Sequence, residues 1–426
     1  MKRILWTISS VMAAFGVAAA ALVALNLRGE APLPASETVQ STPELVARGD
    51  YLARAGNCMA CHTTQGGTPF AGGRGIETPF GVIHSSNLTP DKGHGIGDWT
   101  SAEFWRAMHY GRSKDGRLLY PAFPYPNYTE VTREDSDAIY AYLHSLPPAD
   151  EANRSHALRF PYNTQAALAV WRALFFAPGT PVQEPTQTAE WNRGAYLVNG
   201  LGHCTACHTP RNALGATSEA QAFTGGLIPV QNWYAPALNA AAEAGVKEWP
   251  VDDVVALLKT GVAPHGSVLG PMAEVVFRST QYLTDADARA MAVYLQALPQ
   301  SDRQAPTAPA KPPATAMALG GKVYEQQCAQ CHGDKGQGEH SAFPALAGNR
   351  AVVMADPTNL VRVVLQGGYL PATAGNPRPH GMPPFQQLLA DDEVAAVATF
   401  VRNSWGNQAP AVGTIEVYRA RERRGM

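Results

Sequence analysis

Every cysteine in this chain of 426 residues belongs to one of three copies of a single pentapeptide. The copies read CMACH at Cys58–His62, CTACH at Cys204–His208 and CAQCH at Cys328–His332. C-x-x-C-H is the attachment signature of c-type haem. On that reading Cys58 and Cys61, Cys204 and Cys207, and Cys328 and Cys331 each bind the two vinyl groups of one porphyrin. His62, His208 and His332 then reach the irons as proximal ligands. A lone C-x-x-C would also suit a zinc knuckle or a thioredoxin-like redox pair. Three copies, each closed by histidine and with no cysteine left over, disfavour both. The expected cofactor is therefore haem c, three per chain and covalently held.

Composition narrows the setting. The length fits about three domains at ~100–200 residues each, matching the motif count. A net charge of −2 argues against a nucleic-acid partner. With no spare thiol, a cysteine-bound iron–sulfur cluster has no ligands. There is no Walker loop, and no G-x-G-x-x-G follows a strand-like run, so no nucleotide or flavin site is expected. The cluster Gly72–Gly73–Arg74–Gly75 reads as a loop.

The N-terminus carries Lys2 and Arg3 ahead of an uncharged run from Ile4 to Leu27. As a helix that run would reach about 36 Å, enough to cross a ~30 Å hydrocarbon core. It ends in Asn26–Leu27–Arg28–Gly29–Glu30, with no clear A-x-A cleavage site. Residues 1–30 are therefore expected to be an uncleaved membrane anchor, with a cut inside Ala18–Ala24 as the alternative. The positive-inside rule keeps Lys2 and Arg3 in the cytoplasm and puts the haem motifs on the periplasmic side of the inner membrane.

Around each motif the same order of features recurs. A helical stretch with glycine and an aromatic precedes the cysteines: Arg48–Gly49–Asp50–Tyr51, Arg193–Gly194–Ala195–Tyr196, and Gly320–Gly321 with Tyr324. A second helical stretch closes each unit and opens on acidic residues, at Glu134–Asp137, Asp285–Asp287 and Asp391–Glu393. Carboxylates suit a helix N-terminus because they complement its macrodipole. Tyr142, Tyr294 and Phe400 fall at matching places in these closing helices. Small residues on one helix facing an aromatic on the other permit a close crossing.

The expected fold is all-α: three tandem class I cytochrome c-like domains with long loops, plus an N-terminal transmembrane helix. Their expected bounds are 44–147, 189–298 and 317–407. A connecting segment, 148–188, holds the apolar stretch TQAALAVWRALFF, which would either pack between domains or face a membrane or partner. A proline–alanine linker fills 299–316, and a basic tail fills 408–426.

Each iron needs a sixth ligand, and methionine makes a high-potential electron-transfer haem. Met382, in Gly381–Met382–Pro383–Pro384, and Met272 lie between the motif histidine and the closing aromatic of their units. The first unit has Phe123 at the equivalent place, and phenylalanine cannot ligate iron. Met108 is the preferred candidate there, with His109 or His84, or an open iron, as alternatives. Met108 aligns with Leu258 and Val364 when Gly111, Gly261 and Gly367 are superposed, so ordinary core packing competes with ligation.

Those residues, with the stretches Asn87–Thr100, Asp115–Tyr125 and Glu190–Asn212, resemble the membrane-bound triheme cytochrome c subunits of bacterial periplasmic dehydrogenases. The resemblance covers nearly all of 44–407. It implies an electron-transfer protein serving a dehydrogenase catalytic subunit that is a quinoprotein, flavoprotein or molybdenum enzyme. Electrons would pass through three haems to ubiquinone in the membrane or to a terminal oxidase. It also maps the family's distal methionines onto Met272 and Met382. The family commonly has methionine where Phe123 stands, and the Phe123 form resembles members accompanying molybdenum hydroxylases. Two other readings stand beside it: a peroxidase-like multihaem enzyme with an open first haem, and a tethered cytochrome serving an oxidase directly.

Overall fold

The computed structural model describes residues 2–33, 39–181, 183–301, 311–339 and 342–422. Half of the expected linker 299–316 and the end of the 408–426 tail lie outside the described residues. The chain forms two compact units. One comprises Met1–Ala53, Cys61–Val182 and Asn212–Ala216, and the other Arg54–Ala60, Gln183–Arg211 and Thr217–Met426. It is predominantly helical, with cytochrome c-like helical segments. The all-α expectation needs one correction, since four small antiparallel sheets occur among the described residues. They arise where the loops between helices double back, and the ladders satisfy backbone groups that no helix takes up.

In the first unit α1 (Lys2–Leu27) is a 26-residue helix, apolar and long enough to cross a membrane. Next come α2 (Pro43–Ala55), the hairpin β1 (Gly75–Thr78) and β2 (Gly81–His84), α3 (Ser101–Tyr110) and α4 (Arg133–His144). The short strand β3 (Ala157–Leu158) joins the hairpin in the order β1-β2-β3, and α5 (Gln165–Phe175) follows. The close crossing of α2 and α4 rests on Gly49. A Cβ there would lie 1.9 Å from the Ala138 carbonyl oxygen and 2.6 Å from Tyr142 Cβ. Arg48, one residue earlier, pairs with Asp135 in the first turn of α4.

The apolar stretch of the connecting segment is α5, and its polarity is inverted. Its charged residue, Arg172, is 3% exposed. Arg172 Nε donates to Asn26 Oδ1 (3.1 Å), near the end of α1, and its guanidinium lies over Tyr125 (5.2 Å) and Phe176 (4.8 Å). The opposite face presents Val170 and Leu174 to the outside, the latter 64% exposed, and nearby Phe160 is 82% exposed. Asn26 Nδ2 also donates to the Ala169 carbonyl (2.9 Å), and Arg28 donates to that of Phe176. A largely buried ion pair, Arg112–Glu30 (2.9 Å), fixes the chain just beyond α1.

The second unit holds α6 (Ala189–Ala195), which runs on as a π-helical stretch Tyr196–Leu201 before the second motif. Then follow β4 (Gly226–Ile228), β5 (Trp233–Ala235), α7 (Val251–Thr260), β6 (Val262–Ala263), β7 (Gly266–Ser267) and α8 (Asp285–Gln296). Beyond the linker come α9 (Ala314–Gln327), α10 (Thr358–Gln366), β8 (Gly368–Tyr369), β9 (Gly381–Met382), α11 (Asp391–Arg402) and α12 (Thr414–Glu422). The crossing seen at Gly49 recurs twice. A Cβ at Gly194 would lie 2.0 Å from the Ala290 carbonyl oxygen, and one at Gly320 2.1 Å from that of Ala396. Arg193 forks onto Asp287 at 2.8 and 2.7 Å. In the third repeat Asp391, in the first turn of the closing helix, is met by Arg421 of α12. Part of the basic tail thus folds onto the closing helix, burying Val417.

The halves of this unit on either side of the linker are stitched together. Asn359 exchanges two hydrogen bonds with the Tyr234 backbone (2.9 and 2.7 Å), and the Arg362 guanidinium lies 4.9 Å over the Trp233 ring.

Candidate functional site

The three motifs fold alike. Cys58–His62 is a single helical turn, and Thr205–His208 and Ala329–His332 are turns whose N-caps are Cys204 and Cys328. Spacing of three residues places each cysteine pair on one side of its turn. All six thiols are free of disulfides, and in every pair the first is half-buried and the second exposed. Burial pushes the Cys204 thiol up to about 12 and that of Cys328 to about 11. A redox-active pair needs a depressed thiol pKa, and burial moves these two thiols the other way.

Each motif histidine is oriented in the same way. Nδ1 donates to a backbone carbonyl: His62 to Ser86 (2.7 Å), His208 to Pro236 (2.7 Å) and His332 to Pro344 (2.9 Å). That bond fixes the tautomer and leaves Nε2 as the lone-pair nitrogen, which is how a protein prepares an imidazole for a metal. Burial lowers the pKa of all three, with the carbonyl acceptor opposing the shift. Burial thus favours the neutral imidazole at all three positions.

In the second unit one cavity of about 430 Å³ is walled by both attachment motifs. His208 and Met272 line it, and so do His332 and Met382. Met272 follows Pro271 at the start of the helix Pro271–Arg278, after Gly270 at φ 59°. Met382 is held in β9, whose Gly381 and Met382 pair with Tyr369 and Gly368. At Gly367 a Cβ would come within 2.3 Å of the Met382 carbonyl oxygen, so the close approach there requires glycine. The wall is otherwise mainly apolar. Cysteine pairs, lone-pair imidazoles and thioethers around an apolar cavity are a donor set that fits haem.

In the first unit Phe123 sits 5.4 Å from the Tyr128 ring. Met108 is buried on α3, with its sulfur 3.8 Å from Ser136 Oγ of α4. Its counterparts Leu258 and Val364, each three residues before a positive-φ glycine as Met108 is, both line the cavity of the second unit. His109 stacks on Trp105 (4.3 Å), and burial lowers its pKa to about 4 against a hydrogen bond to the Thr129 backbone. His84 is engaged through Nδ1 with the Ser155 carbonyl (2.9 Å).

Two features carry no signal in the sequence. The acceptors of the histidine Nδ1 bonds are main-chain carbonyls, which have no residue signature. His203, immediately before Cys204, is hydrogen-bonded to the Gly56 backbone, two residues before Cys58. Ser279 Oγ donates to the Ala55 carbonyl (3.0 Å) in the same place. The recurring Arg–Gly and closing-helix Asp pairs could have announced the ion pairs Arg48–Asp135 and Arg193–Asp287.

Comparison with known proteins adds a family. Cytochrome c matches residues 46–147 and 317–405. The cytochrome c subunit of the quinone-type alcohol dehydrogenase of Gluconobacter oxydans is 41% identical over 386 residues, covering 87% of this chain and 80% of its own. The gluconate 2-dehydrogenase cytochrome c subunit of Pantoea cypripedii is 40% identical, covering 88% and 89%. One subunit of the nicotinate dehydrogenase of Pseudomonas putida is 40% identical over 96% of this chain, which spans 34% of that longer protein.

Proposed function

Because this chain belongs to the family of cytochrome c subunits of periplasmic dehydrogenases, we propose that it carries three covalent haems c and relays electrons from a dehydrogenase catalytic subunit to ubiquinone or a terminal oxidase. The observation that carries this is the cavity of the second unit, a largely apolar space lined by two attachment motifs and two methionines. Cys58 and Cys61, Cys204 and Cys207, and Cys328 and Cys331 would hold the porphyrins. His62, His208 and His332 would be proximal ligands, with Met272 and Met382 opposite the latter two and Met108 the candidate in the first. Haem so bound supplies a one-electron couple whose potential the axial ligands set.

The chain's own residues supply the rest. Carbonyl bonds to each Nδ1 hold the imidazoles in one tautomer. Apolar walls keep water from the cofactor. Glu243, the one acidic residue lining the cavity among the described residues, accepts from Tyr234 Oη and the Ala237 amide at Oε2. Three tandem cytochrome c-like domains at 44–147, 189–298 and 317–407 remain the reading that fits the repeated helix crossing.

Anchorage belongs to the same reading. The apolar α1 would span the inner membrane, with the haem-bearing parts of the chain on the periplasmic side. The inverted polarity of α5, packed on the end of α1, supports a membrane-facing role for its outer face. The upstream substrate class follows the catalytic partner. The likeness to a nicotinate dehydrogenase component, with Phe123 in place of methionine, favours an aldehyde or heterocycle.

The test is expression with haem maturation, followed by haem quantitation as pyridine haemochrome and by affinity purification from membranes. Three haems per chain and a co-purifying dehydrogenase are expected. An acid-extracted chain that retains no haem would sink the reading. Carbon monoxide binding to a reduced haem, without displacement of a ligand, would move the first site toward the enzymatic alternative.

A further inference from the structure

The strand β5 backs both candidate axial ligands of one haem site. Just past its end the Pro236 carbonyl accepts from Nδ1 of His208 (2.7 Å). At its start stands Trp233, which lines the cavity of the second unit. Gly270, at φ 59° and ψ −136°, lies so near that indole that an added Cβ would come within 2.6 Å of the ring. Pro271 then fixes the backbone, and Met272 follows. One short strand thus holds the histidine through a carbonyl and meets the methionine segment through a ring.

The turn that delivers Trp233 is strained, with Val230 at φ 65° and Asn232 at φ 53°. Left-handed backbone at a β-branched residue persists only where the surroundings over-determine it. The grip on β5 comes from beyond the linker. Asn359 and Arg362 stand three residues apart, on one face of α10. Asn359 brackets the Tyr234 backbone (2.9 and 2.7 Å), and the Arg362 guanidinium lies 4.9 Å over the Trp233 ring. Arg362 is 8% exposed and donates from Nη2 to Gln366 Oε1 (3.0 Å). Its buried Nε has no hydrogen-bond partner among the described residues. A desolvated cation with one neutral acceptor is costly, and the indole face is the contact that offsets the cost.

We propose that Arg362 is a positioning residue for the haem attached at Cys204 and Cys207, holding Trp233 against Gly270 and so keeping the Met272 thioether at that iron. The proposal rests on the haem reading above, with Met272 as the sixth ligand. Its consequence is that a helix of the third repeat governs ligation in the second. Without the cation the indole loses its hold, the Gly270–Met272 segment loosens, and an added ligand competes for the iron.

The experiment uses the full chain, matured with haem and purified in detergent, as wild type, Arg362→Met, Arg362→Lys and Met272→Ala. A wild-type chain without haem, or a Met272→Ala chain with an unchanged near-infrared charge-transfer spectrum, overturns the underlying reading and this proposal with it. Carbon monoxide titration of the reduced chain tests Arg362. The second haem's signal is the one that disappears when Cys204→Ala and Cys207→Ala are added. Arg362→Met fills a similar volume without the charge, and should bind carbon monoxide at that haem about tenfold more tightly, about 1.4 kcal/mol. Arg362→Lys keeps a cation for the ring and should restore most of the wild-type affinity. Unchanged affinity in a fully loaded Arg362→Met chain overturns the proposal while leaving Met272 as ligand. So does an equal change at the haem of Cys328 and Cys331, or an Arg362→Lys chain as loose as Arg362→Met. Should Arg362→Met lose haem, Arg362→Lys decides: retained haem supports the role of the cation, and loss in both variants shows a packing role and overturns it.

Discussion

A thioether and an imidazole set the potential of a haem iron differently, so the sixth ligands are where single residues matter most. Met382→Ala and Met272→Ala should each abolish one sulfur-to-iron charge-transfer band and lower one potential, as near-infrared spectra and redox titration would reveal. Phe123→Ala should leave the first haem's ligation unchanged. Met108→Ala should alter that haem's spectrum if the thioether turns from Ser136 to the iron, and an unaltered spectrum beside a response to His109→Ala or His84→Ala would mean bis-histidine ligation. At this scale the candidate attachment residues stand out in the sequence because covalent haem attachment would demand fixed types at fixed spacing. The order of Met272 and Met382 along the chain was legible too, and both line one cavity with His208 and His332. What fixes those histidines was hidden, since Ser86, Pro236 and Pro344 contribute only carbonyls.

Between helices, the controlling contact is glycine against a carbonyl. Gly49, Gly194 and Gly320 each bring the first helix of a repeat so close to the closing helix that no Cβ fits between them. Gly194→Ala or Gly320→Ala should therefore force the pair apart and cost about 1–3 kcal/mol, read as a lowered denaturation midpoint of the haem-loaded chain. An alanine at exposed Gly93, where φ is not positive and an added Cβ meets nothing nearer than 3.5 Å, is the control and should leave the midpoint nearly unchanged. Sequence pattern exposed this crossing because the same small-residue and aromatic positions recur three times. It did not expose the hairpins β6–β7 and β8–β9, two-residue strands too short for any period to register. Nor did it announce α12, whose basic composition reads as tail although Arg421 and Val417 dock it on its neighbours.

For the chain as a whole, the outermost apolar surface is the lever. Removal of residues 1–30 should release most of the protein from membranes, and Leu174→Glu in that shortened chain should remove residual binding to anionic vesicles measured by flotation. Unchanged flotation with Leu174→Glu would assign the outer face of α5 to a protein partner instead. Cys204→Ala with Cys207→Ala should remove one haem of three, with the remainder counted by pyridine haemochrome. The stitched halves of the second unit give that variant a further meaning. Because both attachment motifs and both methionines line one cavity, a cofactor bound by either half would complete part of the other half's interior. Compaction would thereby act as a checkpoint on biogenesis: a chain with either of these two attachments unfinished should be trimmed faster by periplasmic proteases and recovered in lower yield than the fully matured chain.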